Sequence, residues 1–458
     1  MQSSIGNPVL VLAMTAVVTG IWIASDRSAP SADLVVWTFS DVHGEIDRQL
    51  IPEFQKSTGL SVDIQAMAQQ TEDVRLVSMF MSGAAGRDLP DLCEIEIGSI
   101  GKFFRAPPQA IGFLPLNEYL SESGEDHLIL PSRLAPWSKI DPATGKTIIF
   151  GIPSDVHPVS LVYRKDLFDA AGIDPQSAGT WEEFQQDCLK LQEYWQTHGR
   201  ANLRGLAVST VSTDSLSMLL LQRHVNLVDA ANHAHLSDPK VVATVAFFAS
   251  MVSGPNAIVA DASPMDQTWA QQLAEGEVAA VLVPDWRAAA LRAFAPEVAG
   301  EVRMMPLPKF DPDDAPTSTW GGTMVGIPRN CSNPDQAWKL LEYLYLSPAS
   351  VEARIAEGSD IIPPLPAMWN DPAYHRPDPY FGGQKVDELY IQFARQIPQR
   401  DITPFTIDAQ LALAEVLQRA ENYVRSHGTD GLTDACKSWL DDAQNQIQRR
   451  IDFGTIAP

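Results

Sequence analysis

The chain is poor in cysteine: Cys93, Cys188, Cys331 and Cys436 are its only four in 458 residues. No CxxC pair occurs, which excludes a zinc ribbon or a thioredoxin-type motif. Their wide separation leaves one or two disulfides open but favours buried free thiols, because Cys93 and Cys188 lie in apolar strand and helix patterns. Basic residues are also scarce, with 33 Lys and Arg against 57 Asp and Glu and a formal net charge of -24. A surface of that sign repels phosphate backbones, so nucleic acid is excluded as a partner. HExxH, GxSxG and a GxGxxG followed by an acid are absent, and with them every motif-level reason to propose an enzyme. Asp141 to Thr147 ends like a phosphate loop, but Ile140 stands where the leading glycine belongs. Asp141-Pro142 and Thr144-Gly145 ahead of Ile148-Ile149-Phe150 predict a hairpin turn instead. His233 and His235 lie near Asp238, yet a metal needs three or four converging ligands and no others are in view, so neither metal nor cofactor is expected.

What is present is a globular composition, 45% hydrophobic and 20% charged, in a chain long enough for two or more domains. Val9 to Ala24 is nearly continuous apolar sequence, followed by a Ser/Ala/Pro-rich stretch to Ala32. This reads as the hydrophobic region of an export signal, although no Lys or Arg precedes it and no boundary cysteine offers a lipid anchor. Its 16 residues are short for a membrane span. Residues 1–32 are therefore read as a signal peptide or an N-terminal membrane anchor. From Leu34 the pattern is strand, helix, strand, helix, strand. The first helix turns Ile46, Leu50, Ile51 and Phe54 inward and stops at Gly59; the second, Thr71 to Met81, is expected to bury Val74, Val77 and Met81. Short connections between these elements mean an α/β fold with a parallel sheet. Thr180 and Glu183 form a capping box for a helix reaching about Gln196. Thr406 to Arg450 is helical, while the stretches 310–318 and 361–379 are Pro-rich and irregular.

One stretch combines several signals. Trp320-Gly321-Gly322 precedes a short buried strand, Met324 to Ile327, and then a helix start in which Asn333 can cap and Pro334 fits the first turn. An aromatic face beside backbone open to close approach suits a small-molecule cleft; a core Trp at a tight turn is the other reading. Ligands of open parallel sheets gather at the carboxyl ends of strands. That places Trp37, Phe39 and Ser40 after the first strand, Glu94 and Glu96 on one face of the third, and Asp285 with Trp286 after strand Val278 to Val283. Asp155, in Gly151-Ile152-Pro153-Ser154-Asp155, is a further acceptor. Each has a structural alternative: Trp37 as core, a carboxylate of Glu94 or Glu96 capping a helix or pairing with Arg, Asp155 in a turn, Asp285 at a helix start. Glu94 and Glu96 fit glycosidase work poorly, since the scissile bond must lie between the two carboxyls.

The order of these pieces resembles the extracellular solute-binding proteins of ATP-driven importers, in the large sugar-binding class that includes maltose-binding protein. The resemblance rests on Leu34 to Phe39 with Pro52-Glu53-Phe54, and on Leu89-Pro90-Asp91-Leu92 before Glu94 to Gly98. It continues through Gly151-Ile152-Pro153, Tyr163 to Phe168, Ala170 to Ile173, Thr180 to Phe184, Leu273 to Ala280 and the Trp320 stretch. It implies a two-lobed type II periplasmic-binding-protein fold, each lobe a mostly parallel sheet flanked by helices, with crossings near Pro153 and between Pro308 and Trp320. The lobes would be 33–153 with 316–360, and 154–315 with 361–458. A carbohydrate, mono- or oligosaccharide, would be trapped between them by hinge closure and delivered to an inner-membrane permease. The protein would be a periplasmic or otherwise extracytoplasmic monomer, free or tethered by its N-terminal segment, with no catalytic residues. The alternatives are an exported carbohydrate-active enzyme and a membrane-tethered sugar sensor.

Overall fold

The computed structural model describes residues 32–85, 89–124, 127–263, 267–356 and 360–456. The apolar run Val9 to Ala24 lies outside them. Among the described residues no helix is long and apolar enough to cross a membrane.

Two five-stranded sheets organise the chain. The first runs in the order β2 (Val62–Ala66), β1 (Leu34–Thr38), β3 (Leu92–Glu96), β12 (Thr323–Gly326), β6 (Ile152–Pro153). The second runs β11 (Val302–Met305), β7 (Val159–Arg164), β10 (Ala280–Pro284), β8 (Leu206–Val208), β9 (Val259–Asp261). A separate hairpin, β4 (Ser138–Ile140) with β5 (Thr147–Ile149), closes on the turn at Asp141 to Gly145, as its Asp-Pro and Thr-Gly pairs predict. The sheets are mixed rather than mostly parallel. β2, β1 and β3 are parallel, but β12 runs against both β3 and β6. The reason is connectivity: β12 is reached only after the chain has visited the second sheet, so it enters the first from the opposite end. In the second sheet β10 is parallel to β8 and antiparallel to β7.

Period-two alternation gives each sheet two apolar faces. Leu34, Val36, Leu92 and Val325 face helices Asp41–Thr58 and Pro334–Leu341, whereas Trp37, Cys93, Ile95 and Met324 face Leu76, Phe103 and Phe113. In the second sheet Val159, Leu161 and Leu282 meet the long helices Trp181–Thr197, Pro239–Val252, Thr406–His427 and Leu432–Ile456, and Val162, Val281 and Val283 meet the opposite layer. Helix Trp181–Thr197 carries the expected capping box between Thr180 and Glu183. Asn333 occupies the N-cap position of Pro334–Leu341 but its side chain makes no cap bond. The four cysteines are free, three of them buried.

The chain passes between the sheets three times. It leaves β6 through Ser154 to Pro158, returns through Thr317 to Gly322, and crosses again at Asp360 to Pro364. Pro158 pairs antiparallel with Thr319, Val159 N donates to Ser318 O at 3.0 Å, and Val156 N donates to Ile362 O at 3.0 Å. The three passages lie side by side as a narrow ribbon with Asp155 to Pro158 in the middle.

One sequence expectation fails in an instructive way. Helix Gln69–Ser82 buries Glu72, Asp73 and Leu76, while Val74 and Met81 are 63% and 84% exposed. The helix packs through the face that carries Glu72, Asp73 and Leu76, because partners distant in sequence receive Asp73 there. Asp73 is compensated by Ser99 and by Lys102 Nζ at 2.9 Å. Glu72 is not: among the described residues nothing hydrogen-bonds its carboxyl. Burial, with help from the Glu94 and Asp73 charges, pushes it up to about 9. An acid raised above its unfolded value costs stability once pH exceeds the unfolded value, with the full cost reached above the folded one. Glu72→Gln should therefore stabilise the protein by on the order of 1–3 kcal/mol at pH 7 and change little near pH 4, measured by thermal unfolding at both.

Candidate functional site

The hinge ribbon contains a buried charge network. Asp155 and Asp285 are 1% and 0% exposed, and His157 lies between them. Its Nε2 is 3.1 Å from Asp155 Oδ2 and its Nδ1 is 2.6 Å from Asp285 Oδ1. His157 takes a left-handed φ of 55°, unusual for a side chain with a Cβ and sustained here by the two carboxylates that grip its ring. Arg133, fully buried, donates through Nε to Asp155 O at 3.2 Å and pairs its guanidinium with Asp155 Oδ1 at 3.4 Å. Thr323 N donates to Asp155, and Ile362 N donates to Asp285 Oδ2 at 2.9 Å. All three passages are thus tied to one cluster. Burial alone lowers the His157 pKa, but the Asp155 and Asp285 charges outweigh it and push it up to about 10. The imidazolium and Arg133 then balance two carboxylates, which a buried cluster requires. The structure accordingly spends Asp155 and Asp285 on the hinge.

Trp320, Gly321 and Gly322 flank this cluster. Gly321 and Gly322 have φ of 90° and 145°, and a Cβ at Gly322 would overlap the Arg133 guanidinium. The glycine pair therefore serves the close approach of hinge and arginine, and Gly322 O also accepts from Ile97 N at 2.9 Å. Trp320 is half-buried. Its carbonyl accepts from Trp286 Nε1 at 3.1 Å, the two indoles meet edge to face at 6.3 Å, and the Arg287 guanidinium sits 4.4 Å from the Trp320 ring. Trp320 and Trp286, both candidates from the sequence, thus lie in contact. Trp320 borders a pocket whose polar lining includes Asp214, Asn226, Arg400 and Gln410, with Met218 and Leu221 as apolar wall.

The remaining candidates divide. Glu96, at the end of β3, accepts from Gly98 N at 2.6 Å and from Gln69 at 3.3 Å. Burial raises its pKa, opposed by Arg400; burial lowers that of Arg400 in turn, opposed by the charges of Glu96 and of Asp214, which opens helix Asp214–Gln222. Glu94 is enclosed: Thr38, His43 and Tyr345 all bond to it. It borders a second small pocket with His43, Arg354 and Tyr374. Ser40 caps helix Asp41–Thr58 by accepting from His43 N, and Phe39 lies edge-on to His43 at 6.0 Å. Trp37 is core, its indole N–H donated to Gln65 and its face covered by Arg75. His233 and His235 both bond Asp229, and among the described residues no group could hold a metal.

Sequence reasoning missed His43, Arg133, His157, Asp214 and Arg400. His157 was within reach, two residues after Asp155 in a segment already marked as a crossing. Arg400 carries no local signal, because it lies in irregular chain between helices and reaches the pocket only through tertiary folding.

The His157 network sets a pH dependence. A histidine raised above its unfolded value stabilises fully below about 6.5 and loses that contribution as pH rises through the folded value near 10. Wild-type thermal stability should fall by on the order of a few kcal/mol between pH 6.5 and 10. His157→Asn should be less stable at pH 6.5 and lack that slope.

Comparison with known proteins agrees with this architecture. An arabinooligosaccharide-binding protein of Halalkalibacterium halodurans is 22% identical over 399 residues, 84% of this chain and 83% of the relative. A lactose-binding protein of Rhizobium radiobacter is 22% identical over 71% of this chain and 73% of its own. Among solved structures, a solute-binding protein of an ABC transporter from Thermotoga lettingae, bound with alpha-D-tagatose, aligns with a TM-score of 0.69 at 22% identity, covering 91% of this chain and all of that one. The sugar-binding protein MalE from Xanthomonas citri aligns at 0.70 and 20% identity, covering 92% and 98%. The fold is the two-lobed type II periplasmic-binding-protein fold. Residues 49–379 match the bacterial extracellular solute-binding protein family, to which this chain belongs.

Proposed function

We propose that the chain captures a neutral carbohydrate between its two lobes outside the cytoplasm and delivers it to the membrane permease of an ABC importer. The observation that carries this reading is Trp320, a partly buried residue on the border of a pocket lined by Asp214, Asn226, Arg400 and Gln410. A sugar has apolar ring faces and hydroxylated edges, so it pairs with a flat aromatic surface ringed by hydrogen-bonding groups. The nearby carboxylates of Glu96 and Asp214 favour a neutral ligand over an anionic one. The relatives and neighbours named for arabinooligosaccharides, lactose and tagatose support the same ligand class.

In this reading the protein binds without turnover. Glu94 is enclosed by three hydrogen-bonding side chains and does not pair with Glu96 across an opening, so the two do not serve as acid and base of a glycosidase. The lobes are 33–153 with 316–360 and 154–315 with 361–458, and the protein works as a monomer. Residues 1–32 direct export and are then either removed or kept as a tether, which the mass of the protein recovered from cells distinguishes.

Titration calorimetry against neutral mono- and oligosaccharides should give saturable heats without product formation. Ligand at about 100 times its Kd should raise unfolding free energy by about 2.7 kcal/mol. Trp320→Ala should weaken binding by roughly tenfold or more, the worth of a good aromatic contact. Hydrolysis of a glycoside by the purified protein, or silence across the whole panel, would refute the proposal.

A further inference from the structure

Besides the three hinge passages, a fourth segment connects the lobes. The chain between helix Val386–Ala394 and helix Thr406–His427 leaves the second lobe, touches the first and returns. Its two ends are fastened to the second lobe. Asp401 N donates to Asn226 Oδ1 at 3.0 Å, Asn226 donates to Gln399 O at 3.2 Å, and Ala230 N donates to Asp401 at 3.2 Å. Phe405 packs into that lobe's core, close to Gly454. The middle reaches across. Ile402 packs against the first lobe's cluster that contains Ile100, Phe103 and Phe104. Thr403 O lies so close to Gly101 that a Cβ there would sit 2.7 Å from it. Hairpin β4–β5 borders the same junction.

The strap also borders the Trp320 pocket, whose lining takes in Arg400 and Asp401 together with the hinge residues Thr319 and Trp320. Among the described residues Arg400 has no hydrogen-bond or ion-pair partner; besides the like charge of Arg133, the charges it senses are Glu96 on the first lobe and Asp214 on the second. Its donors, in the planar fork that suits vicinal oxygens, are therefore available to a ligand.

Resting on the carbohydrate reading above, we infer that the strap 399–405 closes one end of the cleft, so that the protein takes an oligosaccharide by its terminal unit, against Trp320 and Arg400, and discriminates by length. Backbone pinned to both lobes blocks extension of a sugar chain past Arg400. A longer ligand has to lift Ile402 and Thr403 off the first lobe, and so forfeits that contact.

The strap's contact with the first lobe can be broken by substitutions at residues that lie outside both the hinge and the pocket lining. Gly101→Val places atoms where Thr403 O now sits, and Ile402→Ser removes the apolar plug from the other side. Calorimetry would use arabinobiose to arabinotetraose and maltose to maltotetraose. In the series that binds, wild-type affinity should fall by roughly tenfold or more from the disaccharide to the tetrasaccharide. Both variants should flatten that fall and release the disaccharide faster. Hydrogen exchange without sugar should show protection lost at 99–104 and 398–404 in both variants, with the hinge unchanged. Variants that keep the wild-type length profile, or a wild type indifferent to length, would overturn the strap's role. Wild-type protein that binds no sugar refutes the carbohydrate reading instead; the strap is then decided by exchange alone, where protection retained in both variants overturns it.

Discussion

A protonated imidazole held between two buried carboxylates fixes how the lobes meet. Three passages of chain crowd into one ribbon, and each must satisfy its backbone groups without water. His157, Asp155, Asp285 and Arg133 solve this jointly: the carboxylates accept backbone N–H groups from the first residue of β12 and from the third passage while the two cations neutralise them. Removing one partner leaves a buried uncompensated charge, a loss of roughly 3–5 kcal/mol. The left-handed backbone at His157 and the two glycines beside Arg133 follow from that arrangement, since the ring must reach both acids and the guanidinium must lie against bare backbone.

The same logic sorts the acidic side chains of the cleft region. The strands deliver many carboxylates to one place, and the structure consumes most of them. Asp155 and Asp285 serve the hinge, and Glu94 is enclosed with Thr38, His43 and Tyr345. Glu96 and Asp214 remain toward the pocket, with Arg400 between their fields. A ligand arriving there meets one cation flanked by two acids and an indole. That environment repels net negative charge and rewards oriented hydroxyls.

The alternating strands and the capped helices were legible because their signals are local: Leu34 to Thr38, the Thr180–Glu183 box and the Asp141 to Gly145 turn each depend on neighbours in sequence. The cluster of Trp320, Trp286 and the hinge acids was legible in part, because strand ends are where α/β sheets collect function. Helix Gln69–Ser82 was misjudged since hydrophobic spacing pointed to Val74 and Met81, whereas Ser99 and Lys102, distant in sequence, reward an inward Asp73. Trp37 has the same strand-end position as Phe39 and Ser40, but alternation sends its ring to the core face, where Gln65 and Arg75 hold it. Arg400 had no local pattern to betray it; its role arises from the path of irregular chain between two helices.

Hinge and strap both border the Trp320 pocket, and they are held by different forces. The hinge depends on buried ions whose separation is costly, so its internal bonds are hard to break. The strap's hold on the first lobe is mainly one apolar side chain, Ile402, and a close backbone approach at Gly101. Burying such a side chain contributes about 1.5–3 kcal/mol at most, and here it is only partly buried. The weaker side yields first. On the closure proposed above, opening begins where Ile402 leaves the Phe103–Phe104 cluster, and it carries Arg400 away from the ligand in the same movement. Coupling a recognition residue to the yielding contact lets ligand and strap reinforce each other: a terminal sugar held by Arg400 resists detachment, and a docked strap keeps Arg400 in place.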